Sequence, residues 1–143
     1  MTSKPGVILA VDPGTERWGL AVVRPSGECV VRRVEVAANG PSAAVRLAQQ
    51  HSAVVAVVGD RTASRQAMQL MRQAGISLPI VPVNEHGSTL EARQLYYEEN
   101  PPGCLLRLLP RGLLSPPVPI DAYAAHVLAL RYLSTSESER SIS

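Results

Sequence analysis

Phenylalanine is absent from this 143-residue chain, and Trp and Tyr together contribute five residues. So thin an aromatic complement argues against a platform that stacks successive bases of a single strand. There are two cysteines, Cys29 and Cys104, with no metal-ligand spacing, which excludes a zinc module and points to a reducing, cytoplasmic compartment. No apolar run approaches the roughly 20 residues of a membrane span. The start, Met-Thr-Ser-Lys-Pro, lacks the long apolar stretch of a secretory signal, so none is expected. Lysine occurs once, at Lys4, so the cationic surface is almost all arginine, the better fork for phosphate, although base composition of the genome can produce the same skew. The net charge of +2 is too small to identify a partner by itself.

What is present is a 45% apolar, 18% charged sequence of one-domain length, enough to bury a core. Its organising stretch is Val7-Ile-Leu-Ala-Val11, an uninterrupted apolar run that ends in Asp12-Pro13-Gly14 and is followed by a second run, Trp18 to Val23. Five apolar residues before an acid read as a strand buried on both faces. An unpaired buried carboxylate costs several kcal/mol, so such a strand end suggests a metal or phosphate site. The plainer alternative is a turn with a capping Asp.

The remaining chain reads in order. Glu28 to Val36 is a third strand, with Arg32 and Arg33 expected as solvated side chains on opposite faces. Asn39-Gly-Pro41 opens a helix to about Gln50. Ala53 to Val58 is a second fully apolar strand running into Gly59-Asp60-Arg61, and a helix from about Ala63 to Ala74 is stopped by Gly75. Pro79 to Val83 is a short strand ending in Asn84-Glu85-His86. Ser88-x-x-Glu91 has the form of a capping box, opening a helix to about Glu99. Cys104 to Pro119 is Leu-rich and acid-free with four prolines, and Asp121 then enters a closing helix to Leu133. The Ser/Glu-rich residues 134–143 read as a disordered tail, leaving residues 1–133 as a single domain.

Strand hairpins followed by alternating helices and strands imply an α/β sheet in which one antiparallel strand lies among parallel ones. Ligands of such sheets sit at the carboxyl ends of the parallel strands, where Asp12, Asp60 and Glu85 each fall, with Asp121 arriving on the last helix. Crowded carboxylates repel, and a hard divalent cation, Mg²⁺ or Mn²⁺, relieves the conflict. Asp60 and Asp121 can also be read as acids that complement helix N-termini. Ser88 and Thr89 read as caps, His86 as solvated, and His51 and His126 as structural.

Four blocks now resemble the RuvC/YqgF branch of the ribonuclease H-like superfamily. They are Asp12-Pro-Gly14-Thr15 with Gly19-Leu-Ala-Val, then Gly59-Asp60-Arg61-Thr62-x-Ser64. The third is Val83-Asn84-Glu85-x-x-Ser88-Thr89-Leu-Glu91-Ala92-Arg93, and the fourth is Ile120-Asp121-x-x-Ala124 with Arg131-Tyr-Leu133. Leu106-Arg107-Leu-Leu-Pro110-x-Gly112 is similar to the family as well. The resemblance implies a mixed five-stranded sheet of order 3-2-1-4-5, strand two antiparallel, flanked by helices. It implies a metal-dependent endonuclease, acting on ribosomal RNA precursors or on Holliday junctions, with Mg²⁺ or Mn²⁺ held by Asp12, Glu85 and Asp121; Asp60, read at the same sheet end from the order of the strands, is the candidate fourth ligand. Arg17, Arg61, Arg65, Arg107 and Arg111 lie near the same sheet end and would grip flanking phosphates. A homodimer is compatible, since RuvC-type resolvases cut as dimers, but no self-complementary face is visible in the sequence. Two positions depart from the family: Asn84 stands where an acid is usual, and Ala124 where RuvC carries a second helix acid. They support the alternative of a weakened module that binds nucleic acid or protein without cutting. A resemblance of Asp-x-Gly-Thr to the phosphate loop of the actin/hexokinase/chaperone ATPases fits less well, because those proteins close two such domains around a nucleotide.

Overall fold

The computed structural model describes residues 6–61, 63–103, 116 and 118–142, with side chains through Thr135. Five strands form one mixed sheet: β1 (Ile8–Pro13), β2 (Arg17–Val23), β3 (Cys29–Val36), β4 (Val55–Gly59) and β5 (Ile80–Val83), in the order β3-β2-β1-β4-β5. β2 is antiparallel to both β1 and β3, while β1, β4 and β5 are parallel. This is the order and polarity expected of a ribonuclease H-like sheet. Among the described residues four α-helices accompany it, α1 (Gly40–Gln50), α2 (Ser64–Ala74), α3 (Ser88–Glu99) and α4 (Asp121–Ile142), with a 3-10 turn at Ala37–Asn39 leading into α1.

β1 and β4 read as unbroken apolar runs because both of their faces are covered. Leu9 and Val11 of β1 join Trp18, Leu20, Leu47, Ala67 and Met71 in a core under α1 and α2. Ile8 and Ala10 face the other way, onto Ala125, Leu128 and Ala129 of α4. α1 buries Ala43, Ala44, Leu47 and Ala48 at helical spacing after a proline in its first turn. α2 ends at Gly75, whose left-handed φ of 113° lets its N–H return to the Arg72 carbonyl. α4 is buried on a second side by α3, through Ala92, Ala124 and Val127. It does not stop at Leu133: Thr135 Oγ1 donates to the Arg131 carbonyl, and the helical backbone continues to Ile142 across residues that by composition read as a tail. Among the described residues no helix is long and apolar enough to cross a membrane.

β5 is an edge strand. The Val83 carbonyl accepts from Asp60 N–H on β4's side, so alternation turns the nitrogen of Pro82, which has no hydrogen to donate, toward the free edge.

Arg32 corrects one expectation. It is half-buried rather than solvated: Nη1 donates to Glu99 Oε1 at 2.8 Å, Nη2 pairs with Glu99 Oε2, and the guanidinium stacks 4.2 Å from the centre of the Tyr123 ring. Arg32 Nη2 also lies 3.2 Å from His126 Nδ1, and His126 Nε2 lies 3.0 Å from the Gly27 carbonyl oxygen. Arginine cannot accept and a carbonyl cannot donate, so His126 is neutral with its proton on Nε2. Burial, reinforced by the Arg32 charge, holds its pKa below the ordinary 6.5, against the Gly27 carbonyl and Glu99, which raise it. The unfolded chain therefore binds the proton first, and stability is lost as pH falls below about 6.5. The difference in unfolding free energy between wild type and His126→Gln is expected to be flat above pH 7. It should move against wild type as urea titrations are taken to pH 5.

Candidate active site

β1 carries Asp12 out of the core to the rim of the sheet, half-buried, directly opposite Gly19 of β2 in the ladder. Gly19 is what admits the last helix to this point. A Cβ there would overlap the carbonyl group of Asp121 and lie 2.8 Å from the Ala122 nitrogen, so the first turn of α4 rests on β2 through a missing side chain. Asp121 is thereby delivered beside Asp12.

The neighbouring strand ends are tied to one another. Asp60 N–H donates to the Val83 carbonyl at 3.1 Å, and Glu85 N–H donates to Asp60 Oδ1 at 3.3 Å. Glu85, a residue only 5% exposed, folds its carboxylate back over Gly59, where a Cβ would stand 2.7–2.9 Å from its oxygens. It accepts the Arg61 N–H at 2.8 Å and pairs with Arg61 Nε at 3.4 Å. Across the site, Arg17 Nε pairs with Asp121 Oδ2 at 3.1 Å.

Asp12 shows the consequence of this crowding. Its pKa is pushed up to about 6, first by burial, then by the charges of Glu85 and Asp121, with Arg61 opposing. Three of the four carboxylates expected here, Asp12, Glu85 and Asp121, thus act on one another. Asp60 stands apart: it is exposed and used to hold the backbone of Glu85. Among the described residues no group of three or more His, Cys, Asp or Glu side chains is gathered closely enough to hold a metal ion, and the carboxylates on either side of Asp12 are engaged by arginines. The donor set itself, all carboxylate oxygen around an acid that ionises reluctantly, suits a hard divalent cation.

Neither departure from the family's acid pattern enlarges the set. Asn84 is committed to its own turn, with Oδ1 accepting from His86 N–H at 2.9 Å and its carbonyl from Arg131 Nη1 at 2.7 Å. Ala124, 7% exposed, lies in the seam between α3 and α4. The capping box does not form either. Gly87, at φ 74°, occupies the N-cap of α3 without a side-chain bond, and Glu91 pairs with Arg131 at 3.0 Å instead of returning to Ser88. Ser88 is buried and gives its N–H to the Glu85 carbonyl, which fixes the turn after β5.

Of the arginines expected to meet phosphates, Arg17 and Arg61 hold the site acids, though their side chains remain 47% and 69% exposed. Arg65 lies exposed on α2, and Arg107 and Arg111 fall outside the described residues. Sequence reasoning missed Gly19, Gly59 and Arg131 as parts of the site. For the glycines a signal was available, since a glycine inside a strand marks close approach.

No family model matches the chain. It is 30% identical over 151 aligned positions, covering 96% of this chain and 93% of the relative, to a protein of Xanthomonas euvesicatoria pv. vesicatoria named "Putative pre-16S rRNA nuclease". The fold matches Thermus thermophilus RuvC at a TM-score of 0.55 and 16% identity, over 92% of this chain and 96% of that one. T. thermophilus RuvC in complex with a Holliday junction substrate matches at a TM-score of 0.54 and 14% identity, with the same coverage. At those identities RuvC speaks to the fold alone, and the relationship in sequence is to the Xanthomonas protein. The sheet order, the carboxylates at its rim and that relationship agree: this chain belongs to the RuvC/YqgF-type nuclease family.

Proposed function

We propose that the protein is a divalent-metal-dependent endonuclease that cleaves phosphodiester bonds in a structured ribosomal RNA precursor, in the cytoplasm. The observation that carries this reading is Asp12, a carboxylate that burial and two acidic neighbours make reluctant to ionise alone. Asp12, Glu85 and Asp121 would hold the cation, which supplies an activated water and charge neutralisation at the phosphate. Arg17 and Arg61 are the internal counter-charges of the acid cluster, and their exposure leaves them free to turn outward to flanking phosphates. Asp60 serves as the positioning residue of Glu85, through that residue's N–H. The RNA precursor is preferred over branched DNA because the likeness in sequence, as distinct from fold, is to the ribosomal RNA nuclease.

The test is cleavage of a labelled ribosomal RNA precursor and a four-way DNA junction side by side, with Mn²⁺ and with chelator, by wild type and Asp12→Asn. Metal-dependent cutting of the RNA by wild type alone is the expected result. Undiminished cutting by the variant would sink the reading. Symmetric junction cleavage would move the substrate to DNA and call for a homodimer. Binding without any cleavage would favour the weakened module, to which Asn84, tied into its turn, and Ala124, buried in the helix seam, lend support.

A further inference from the structure

Between Asp60 and Glu85 the chain carries no acidic residue, yet it carries Arg61, Arg65 and Arg72. Five other or neighbouring arginines are matched to acids: Arg17 with Asp121, Arg24 with Glu28, Arg32 with Glu99, Arg61 with Glu85 and Arg131 with Glu91. Arg65 and Arg72, both exposed, make no ion pair among the described residues. A helix surface that serves only solubility mixes signs; α2 has one sign only.

The spacing puts these charges on one line. Residues 65, 69 and 72 follow the i, i+4, i+7 rule, so Arg65, Gln69 and Arg72 share a stripe. With Met68 and Gln73 they line a single shallow surface. Ser64, Ala67 and Met71 point the other way, into the core. The stripe begins at the active site, because the turn into α2 is made by Ser64 N–H on the Arg61 carbonyl at 2.8 Å, and Arg61 holds Glu85. From Arg65 to Arg72 it runs about 10 Å at the helical rise, on the order of three nucleotides of one strand.

We propose that the outer face of α2 is the track along which the substrate's phosphodiester backbone leaves the carboxylate site. Arg65 and Arg72 take phosphates, and the amides of Gln69 between them and Gln73 beside Arg72, which donate and accept without adding charge, take neighbouring sugar and phosphate oxygens. Contacts of this kind position a strand without reading its bases. The inference rests on the nucleic-acid reading above and names the surface that serves it.

The test is fluorescence anisotropy of the full chain on an RNA precursor hairpin and on a four-way DNA junction. Chelator is present to prevent cleavage, and salt is varied. Arg65→Glu with Arg72→Glu is expected to weaken binding more than tenfold near 0.1 M salt. Arg65→Ala with Arg72→Ala should flatten the slope of log K against log salt by roughly 1.4 on single-stranded substrate and 1.8 on duplex, from two lost contacts. With metal and substrate varied through its KM, the alanine pair should raise KM by a larger factor than it lowers kcat. Which nucleic acid shows the larger loss identifies the strand that uses the track. If wild type binds and neither double variant alters affinity or slope, the track is wrong and the nuclease reading stands. The track is equally wrong if Arg33→Ala, one charge removed from the far edge strand, flattens the slope by half as much as the alanine pair, which removes two. If wild type binds neither substrate, both fall.

Discussion

Asp12→Asn is expected to raise the thermal midpoint of the metal-free protein at pH 8 by roughly 5–10 °C while abolishing cleavage. Burial, and then the charges of Glu85 and Asp121, push the Asp12 carboxyl up to about 6 from its ordinary 3.8. A folded pKa above the unfolded one favours the native state fully below about pH 4. That contribution is lost as pH rises through about 6. At pH 8 the ionised acid costs on the order of 3 kcal/mol, which an amide of the same shape does not. The gap between variant and wild type should therefore open between pH 4 and pH 7 and be absent at pH 4, by scanning calorimetry in chelator. Adding Mn²⁺ should raise the wild-type midpoint and leave the variant's unchanged, since a ligand stabilises only the chain that binds it. A variant less stable than wild type at pH 8 would show that the carboxylates are not in conflict. The general lesson is that a site of this kind holds its acids at the expense of stability.

Gly19→Ala should do the reverse, lowering stability and activity together. The added methyl has nowhere to go, because the group it meets is backbone: the Asp121 carbonyl and the Ala122 nitrogen. Either β2 or the first turn of α4 must move. The cost expected of such overpacking is about 1–3 kcal/mol, read as a lower urea midpoint. Displacing Asp121 by even an ångström is expected to reduce kcat on the order of a hundredfold. Asp121→Asn is the companion measurement. It should lose activity with little change in the urea midpoint, which separates the lost carboxylate from the lost packing. Gly19→Ala with native activity would mean that the approach of α4 to β2 does not place the acid.

Much of this was legible without coordinates. The apolar runs before Asp12 and Asp60 predict strands covered on both faces, and both are central in the sheet. Period-2 alternation places β3, and Pro41 and Gly75 mark a helix start and stop, all local effects of backbone sterics. The gathering of Asp12, Glu85 and Asp121 was also within reach, because ligands collect where parallel strands end. Arg32 was not legible. Its neighbours in sequence suggest solvent, whereas Glu99, Tyr123 and His126 come from α3 and α4, far along the chain. Nor was the fate of Ser88-x-x-Glu91, where a motif that satisfies a helix end locally loses to Arg131, a stronger partner supplied by α4.

The sequence by itself determined the strands and the acids that end them, because each depends on residues within one or two turns of one another, and the order of the elements implied the mixed sheet. Only the tertiary structure decided which acids face each other and which face arginine. It set Asp60 to holding Glu85, put Asn84 into its turn and Ala124 into a helix seam, and let α4 settle on Gly19. Those outcomes depend on side chains that meet across long stretches of chain, where the partner available in space, and not the nearest one in sequence, sets the free energy.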